Sequence, residues 1–131
     1  MTRRFHLRDE TGRRGEDAAA RYLRSKGYRI LERNYRNGRG KAVGEVDIVA
    51  SDDRGIVFVE VKARIADASV EEVFPEEAIT PSKLRKLARV AEEYLRERGK
   101  RDVSYRFDAV LIVFRVGEKD PNIRHFEGIF I

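Results

Sequence analysis

The most regular pattern in the chain is Leu84, Leu87, Ala88, Ala91, Tyr94 and Leu95, apolar residues three and four apart. That spacing puts them on one face of an α-helix. Thr80 and Pro81 stand before it as N-cap and first helical residue, and Gly99 after it as a left-handed stop. An earlier helix is predicted from Thr11 or Gly12 to Gly27, with Ala19, Ala20 and Leu23 as its apolar stripe and Glu16 at the head of that stripe. Tyr28 to Tyr35, Val43 to Ala50 and Ile56 to Ala63 read as strands. The first two are separated by the Gly- and Arg-rich turn Asn37 to Lys41, the last two by the polar five-residue turn Ser51 to Gly55. Residues 64–79 have no clean period and read as a loop. A long strand from Tyr105 to Val116 and a last one from Ile123 to Ile131 complete the chain.

The order helix, three strands, helix, two strands predicts an α/β fold with a mixed central sheet flanked by helices. The second helix stands between two apolar strands, where it forms the crossover joining parallel neighbours. No repeat or linker divides the sequence, and 131 residues suit one domain.

Composition narrows the chemistry. With no cysteine there are no disulfides, thiolate zinc sites or thiol nucleophiles. The longest apolar run, Ala109 to Phe114, falls far short of the roughly 20 residues a membrane span needs. The first residues carry arginine in place of an apolar stretch, so a cytoplasmic chain with no membrane partner is expected. The net charge of +5 is unevenly spread: residues 1–41 hold 13 basic and 5 acidic residues, the remainder 15 and 18. A basic third of this kind suits a polyanion such as nucleic acid, although a solvated charged surface accounts for the composition equally well.

Strand alternation sharpens this. Val46, Ile48 and Ala50 share one face of their strand, and Glu45 and Asp47 the other; Ile56, Phe58, Glu60 and Lys62 share a face of the next. Pairing the polar faces brings Asp47, Glu60 and Lys62 to one place. An ordinary cross-strand ion pair is the plain alternative, but three carboxylates against one lysine leave an excess of negative charge that suits a divalent cation. Oxygen donors without cysteine favour Mg²⁺ or Mn²⁺ over zinc. Lys62 would assist the attacking water and Glu16 would add a carboxylate from the first helix.

Asp47 followed by Glu60-Val61-Lys62, with helical Glu16 before them, resembles the PD-(D/E)XK nuclease superfamily, and nearly the whole chain is similar to the YraN-like family. The matching segments include Gly15-Glu16, Asn34, Gly44 to Ala50, Phe58 to Arg64, Ala78-Ile79-Thr80, Lys83, Arg106-Phe107-Asp108 and Ile123-Arg124-His125. The resemblance implies a restriction-endonuclease-like core, with metal on Asp47, Glu60 and the Val61 carbonyl, and hydrolysis of DNA phosphodiesters, structured or branched DNA being the expected substrate. Arg13, Arg14, Arg36, Arg39 and Lys83 are the expected phosphate contacts. Glu45, Arg64, Arg106 and Asp108 are supporting residues, the last two as an ion pair behind the site. His6 and His125 read as structural, and Tyr28 and Tyr35 as packing in the sheet. Residues 65–79 depart from the family pattern in being longer and acidic, with Glu71, Glu72, Glu76 and Glu77. Two other functions stay open on these residues: a Holliday-junction resolvase, which requires a homodimer, and a nucleic-acid-binding module without turnover.

Overall fold

A computed structural model of the chain describes residues 2–36, 44–66, 79–100 and 102–129. The predicted turn at residues 37–41, with Arg39, and the acidic stretch from Glu71 to Glu77 lie outside the described residues. The elements run in the predicted order: α1 (Thr2–Ser25), β1 (Arg29–Arg36), β2 (Glu45–Asp52), β3 (Gly55–Ala66), α2 (Pro81–Glu97), β4 (Tyr105–Arg115) and β5 (Asn122–Phe126). One five-stranded sheet has the order β1-β2-β3-β4-β5. Every neighbouring pair is antiparallel except β3 and β4, which run parallel and are joined through α2.

α2 forms as its sequence dictates. Thr80 is extended (φ −90°, ψ 160°), and its side chain accepts a hydrogen bond from the Lys83 N–H, so one of the orphan donors of the first turn is satisfied. Leu84, Leu87, Val90, Ala91, Tyr94 and Leu95 are buried along one face. They pack with Val46, Val49, Phe58, Phe107, Ala109 and Leu111 in one half of the core. On the other side of the sheet, Ala18, Ala19, Ala20 and Leu23 of α1 pack on Ile48, Ala50, Val57, Val59, Val110 and Ile112. The sheet is thus covered on both faces, in three layers.

Four expectations need correction. α1 begins at Thr2, not at Thr11 or Gly12. The Arg, Leu and Glu residues on either side are good helix formers, and they carry the helix through two poor ones. The five-residue hairpin turn shrinks to Asp53-Arg54, because Asp52 still pairs with Gly55 and its carboxylate accepts from the Arg54 N–H at 2.9 Å. β3 continues to Ala66 because its parallel ladder with β4 holds to Ala66–Arg115. β5 stops at Phe126; beyond it Gly128 takes a left-handed φ of 67°, and the chain returns to the sheet only at Ile129, whose N–H donates to Phe107 O at 2.8 Å.

The closest approach of α1 to the sheet is set by Gly15. It is buried, and a Cβ built there would fall on the Ala63 side chain, 3.6 Å from Ala63 Cα and 3.9 Å from Val61 Cγ1. Glycine in a helix ordinarily costs about 1 kcal/mol against alanine. Here that order reverses. Gly15→Ala is expected to lower the melting temperature, and the swap Gly15→Ala with Ala63→Gly, which removes the obstructing methyl, to recover most of the loss. A Gly15→Ala variant melting above the wild type would show that the helix is not held this tightly.

Candidate functional site

Strands β2 and β3 pair regularly from Asp52–Gly55 up to Ile48–Val59, and there the ladder ends. The next inward N–H, that of Val61, donates to Asp47 Oδ2 at 2.8 Å. A side chain has taken the place of a backbone acceptor, so Asp47 is anchored where the strands part, beside Glu60. β2 stays paired with β1 beyond this point, Tyr35 with Val46 and Arg36 with Glu45.

The expected alternation of β2 fails at this rung. Ile48 and Ala50 pack under α1, but Val46 packs with Val49 in the core under α2. Across from Asp47, between the pairs Arg33–Ile48 and Tyr35–Val46, stands Asn34 with a left-handed φ of 54°. A left-handed residue inside a strand turns the chain's phase, and at this rung Asp47 feels Glu16 of α1 together with Glu60 and Glu45 of the sheet. β3 keeps its alternation: Val57 and Val59 lie on the α1 side, Ile56 and Phe58 on the α2 side.

The electrostatics of the carboxylates follow from this placement. Burial, then the charges of Glu60, Glu16 and Glu45, push the Asp47 carboxyl up to about 8, against the Val61 hydrogen bond, which lowers it. Glu60 is also raised, by burial first; Lys83, a hydrogen bond with Asp47, and Lys62 work the other way, and Glu45 adds to the rise. The site therefore gathers Asp47, Glu60, Lys62, Glu45 and Glu16 with Lys83 from the first turn of α2. Lys62 and Lys83 are exposed.

Glu16 Oε1 accepts from Asn34 Nδ2 at 2.9 Å, so the helix carboxylate is tied to the strand that faces Asp47. Arg36 pairs with Glu45 at 3.0 Å at the edge of the site. Arg13 is exposed on α1, and Arg14 lies over the Phe114 ring, 4.3 Å from its centroid. Arg64 is exposed on β3 two residues beyond Lys62.

Among the described residues no three His, Cys, Asp or Glu side chains converge closely enough to cage an ion. The donor set still fits Mg²⁺ or Mn²⁺. Such ions keep several waters and take one or two carboxylates, which Asp47 and Glu60 supply, with the Val61 carbonyl as the further oxygen the family resemblance implies. Two half-buried carboxylates repelling one another are what a divalent charge would relieve.

Arg106 and Asp108 do form an ion pair, at 3.0 Å, with Asp108 fully buried. Their other bonds lead away from the carboxylates. Asp108 accepts from His125 Nε2 at 2.7 Å and from the Gly128 N–H at 3.0 Å; Arg106 donates to Tyr28 Oη at 2.7 Å. His125 Nδ1 meets Tyr22 Oη at 3.0 Å. His125, read from the sequence as a structural histidine, bridges Asp108 and Tyr22, and the network it belongs to spans α1, β4 and β5 and was not visible in spacing. It borders a cleft of about 660 Å³ lined by Tyr22, Lys26, Tyr28, Arg54 and His125. Arg54 lies in the hairpin turn, seven residues from Asp47, and the cleft opens between that turn, the end of α1 and β5. Asn34 is the other residue that sequence reasoning gave no role. Its signals were its place among the segments that match the family and an asparagine inside a strand pattern, where that residue type is uncommon.

The chain thus belongs by architecture to the mixed α/β proteins, with an acidic pair and a lysine where two central strands part. It is a member of the YraN-like family UPF0102: the model of "Uncharacterised protein family UPF0102" matches residues 15–112. A UPF0102 protein of Prosthecochloris aestuarii is 44% identical over 110 residues, 84% of this chain and 81% of its own length. Those of Pelotomaculum thermopropionicum and Syntrophotalea carbinolica are 42% and 44% identical over 119 residues, 91% of this chain and 93% and 89% of theirs. No helix among the described residues is long and apolar enough to cross a membrane.

Two predictions follow from the charges. A carboxyl raised from 3.8 to about 8 is protonated in the folded chain at pH values where it is ionised in the unfolded one. Its contribution to stability is full below pH 3.8 and is lost as pH rises through about 8. In chelator, Asp47→Asn should therefore melt higher than the wild type at pH 8, and the gain should shrink toward pH 5; equal melting curves across that range would contradict it. Asp108 behaves oppositely. Burial would raise it, but His125, Arg106 and the Gly128 N–H together hold it below 3.8, so its contribution is present above that value and lost as acid protonates it. Asp108→Ala should cost about 3 kcal/mol at neutral pH by urea titration, the scale for removing one partner of a buried charged pair. The deficit should narrow at low pH.

Proposed function

We propose that this chain is a metal-dependent nuclease of the PD-(D/E)XK kind, on a restriction-endonuclease-like core, hydrolysing phosphodiesters in DNA that is structured or branched. The observation that carries this is the Asp47–Val61 hydrogen bond. It holds one carboxylate beside Glu60 at the end of the β2–β3 ladder, with Lys62 next on the same strand. A purely structural ion pair would match charges. This cluster carries more acid than base and keeps a proton near neutral pH to relieve it.

Asp47 and Glu60 would hold the divalent ion, which when bound supplies charge neutralisation for the phosphodiester and a more acidic water. Lys62 contributes an ammonium to the attacking water and to the charge that develops on the phosphorus oxygens. Lys83 lies in the first turn of α2, and its field already reaches Glu60, so a phosphate at the site would meet both its charge and the N-terminal amides of the helix. Arg13 and Arg64, exposed on α1 and β3, extend the basic rim. Arg14 and Arg36 can join it only by leaving Phe114 and Glu45.

The decisive measurement is cleavage of labelled duplex, flap and four-way-junction DNA in Mg²⁺ or Mn²⁺. The wild type should cut at least one of them, while Asp47→Ala, Glu60→Ala and Lys62→Ala each lower the rate about 100-fold or more, the scale for a group acting on transition-state charge. Binding without cleavage by wild type would make the chain a binding module. Cleavage indifferent to Asp47 would place the chemistry elsewhere.

A further inference from the structure

Asn34 is the one residue other than glycine with a positive φ among the described residues, and it lies between paired residues of the β1–β2 ladder. β1 pairs with β2 on both sides of it, Arg33 with Ile48 and Tyr35 with Val46, in one register. The left-handed turn is therefore not the end of a strand or a hairpin tip. It stands at the rung of Asp47, where the packing phase of β2 changes. Most side chains are strained in this region; glycine and asparagine enter it at least cost. Glycine would meet the backbone's demand as well, so the backbone alone does not account for asparagine. The amide does: Nδ2 donates to Glu16 Oε1 at 2.9 Å, joining β1 to the part of α1 that Gly15 brings against Ala63.

We propose that Asn34 is a positioning residue whose left-handed backbone directs its amide onto Glu16 and so holds that carboxylate toward the Asp47 rung of the sheet. A carboxylate on a helix surface has rotamers that lead to solvent; a charge-assisted bond from a neighbouring strand selects one of them. Asn34 touches no reacting atom and acts through Glu16. The role of Glu16 toward a divalent ion rests on the nuclease reading above, but the Asn34–Glu16 bond does not.

The test uses the full chain and two readouts other than cleavage. In metal-free protein, NMR should show the Asn34 side-chain amide with nuclear Overhauser contacts to the Glu16 side chain, and Asn34→Gly should shift the Glu16 carboxyl carbon. Calorimetric titration with Mn²⁺ then compares wild type, Asn34→Gly, Glu16→Ala and the double variant. Asn34→Gly keeps the left-handed backbone, so its melting temperature should stay close to the wild type's. Its Mn²⁺ affinity should fall roughly tenfold, the lower end for losing a group that orients a ligand. The double variant should be no weaker than Glu16→Ala alone, as for two residues acting through one bond. Wild-type Mn²⁺ affinity in Asn34→Gly, with a loss in Glu16→Ala, would overturn the proposal. So would absence of the Asn34–Glu16 contacts. If the contacts are present and the wild type takes up no Mn²⁺, the positioning role stands and the nuclease reading fails.

Discussion

The arrangement of the site depends on where the β2–β3 ladder stops. Up to Ile48–Val59 the backbone of each strand satisfies the other; at the next step Asp47 supplies the acceptor for the Val61 N–H. A buried amide must find a partner, so a side chain that provides one is held as firmly as the sheet itself. The same carboxylate is thereby brought into a place that disfavours its charge. Folding satisfies the amide and leaves the carboxylate pair in tension.

The packing around the pair is close. α1 lies against β3 at Gly15 with no room for a methyl group, and its alanines bury themselves on Ile48, Val57 and Val59. α2 enters at a capped N-terminus that sets Lys83 within the field of Glu60. Both helices approach the pair from opposite faces of the sheet. Asp47 stands at the shifted rung, where the charge of Glu16 reaches it from α1, while that of Lys83 reaches Glu60 from α2.

Much of this was legible from residue order. Thr80-Pro81 and the six apolar positions of α2 have one reasonable interpretation, and the apolar runs around Asp47 and Glu60 place both residues at strand ends. The family resemblance marked Asn34 without a reason for it. What stayed hidden came from interactions between segments distant in sequence. The extension of β3 to Ala66 depends on β4 being available in parallel register, and the shortened turn depends on Asp52 capping Arg54. Asp108 looked like a support for the acidic pair because it stands near an apolar strand in sequence. Only the positions of Tyr22, His125 and Gly128 show that, one rung from Glu60, it is bound instead to β5 and through His125 to α1. The shift at Asn34 is a backbone torsion, and periodicity reports side-chain type alone.

The arginine content has a further meaning once the ion pairs are known. Arg33, Arg36, Arg54, Arg96, Arg98 and Arg106 each close a bridge to an acidic residue of the same chain, and Arg14 rests on an aromatic ring. The six paired arginines thus serve as internal cross-links, each matched by an acid, and do not account for the net charge of +5. Exposed cations without such a bridge among the salt links above include Lys62, Arg64, Lys83 and Arg13 about the acidic pair, and Arg21, Arg24, Arg85, Lys86 and Arg89 along the two helices. The isoelectric point describes the whole molecule. How that charge is spread over the surface depends on which arginines the ion pairs withdraw.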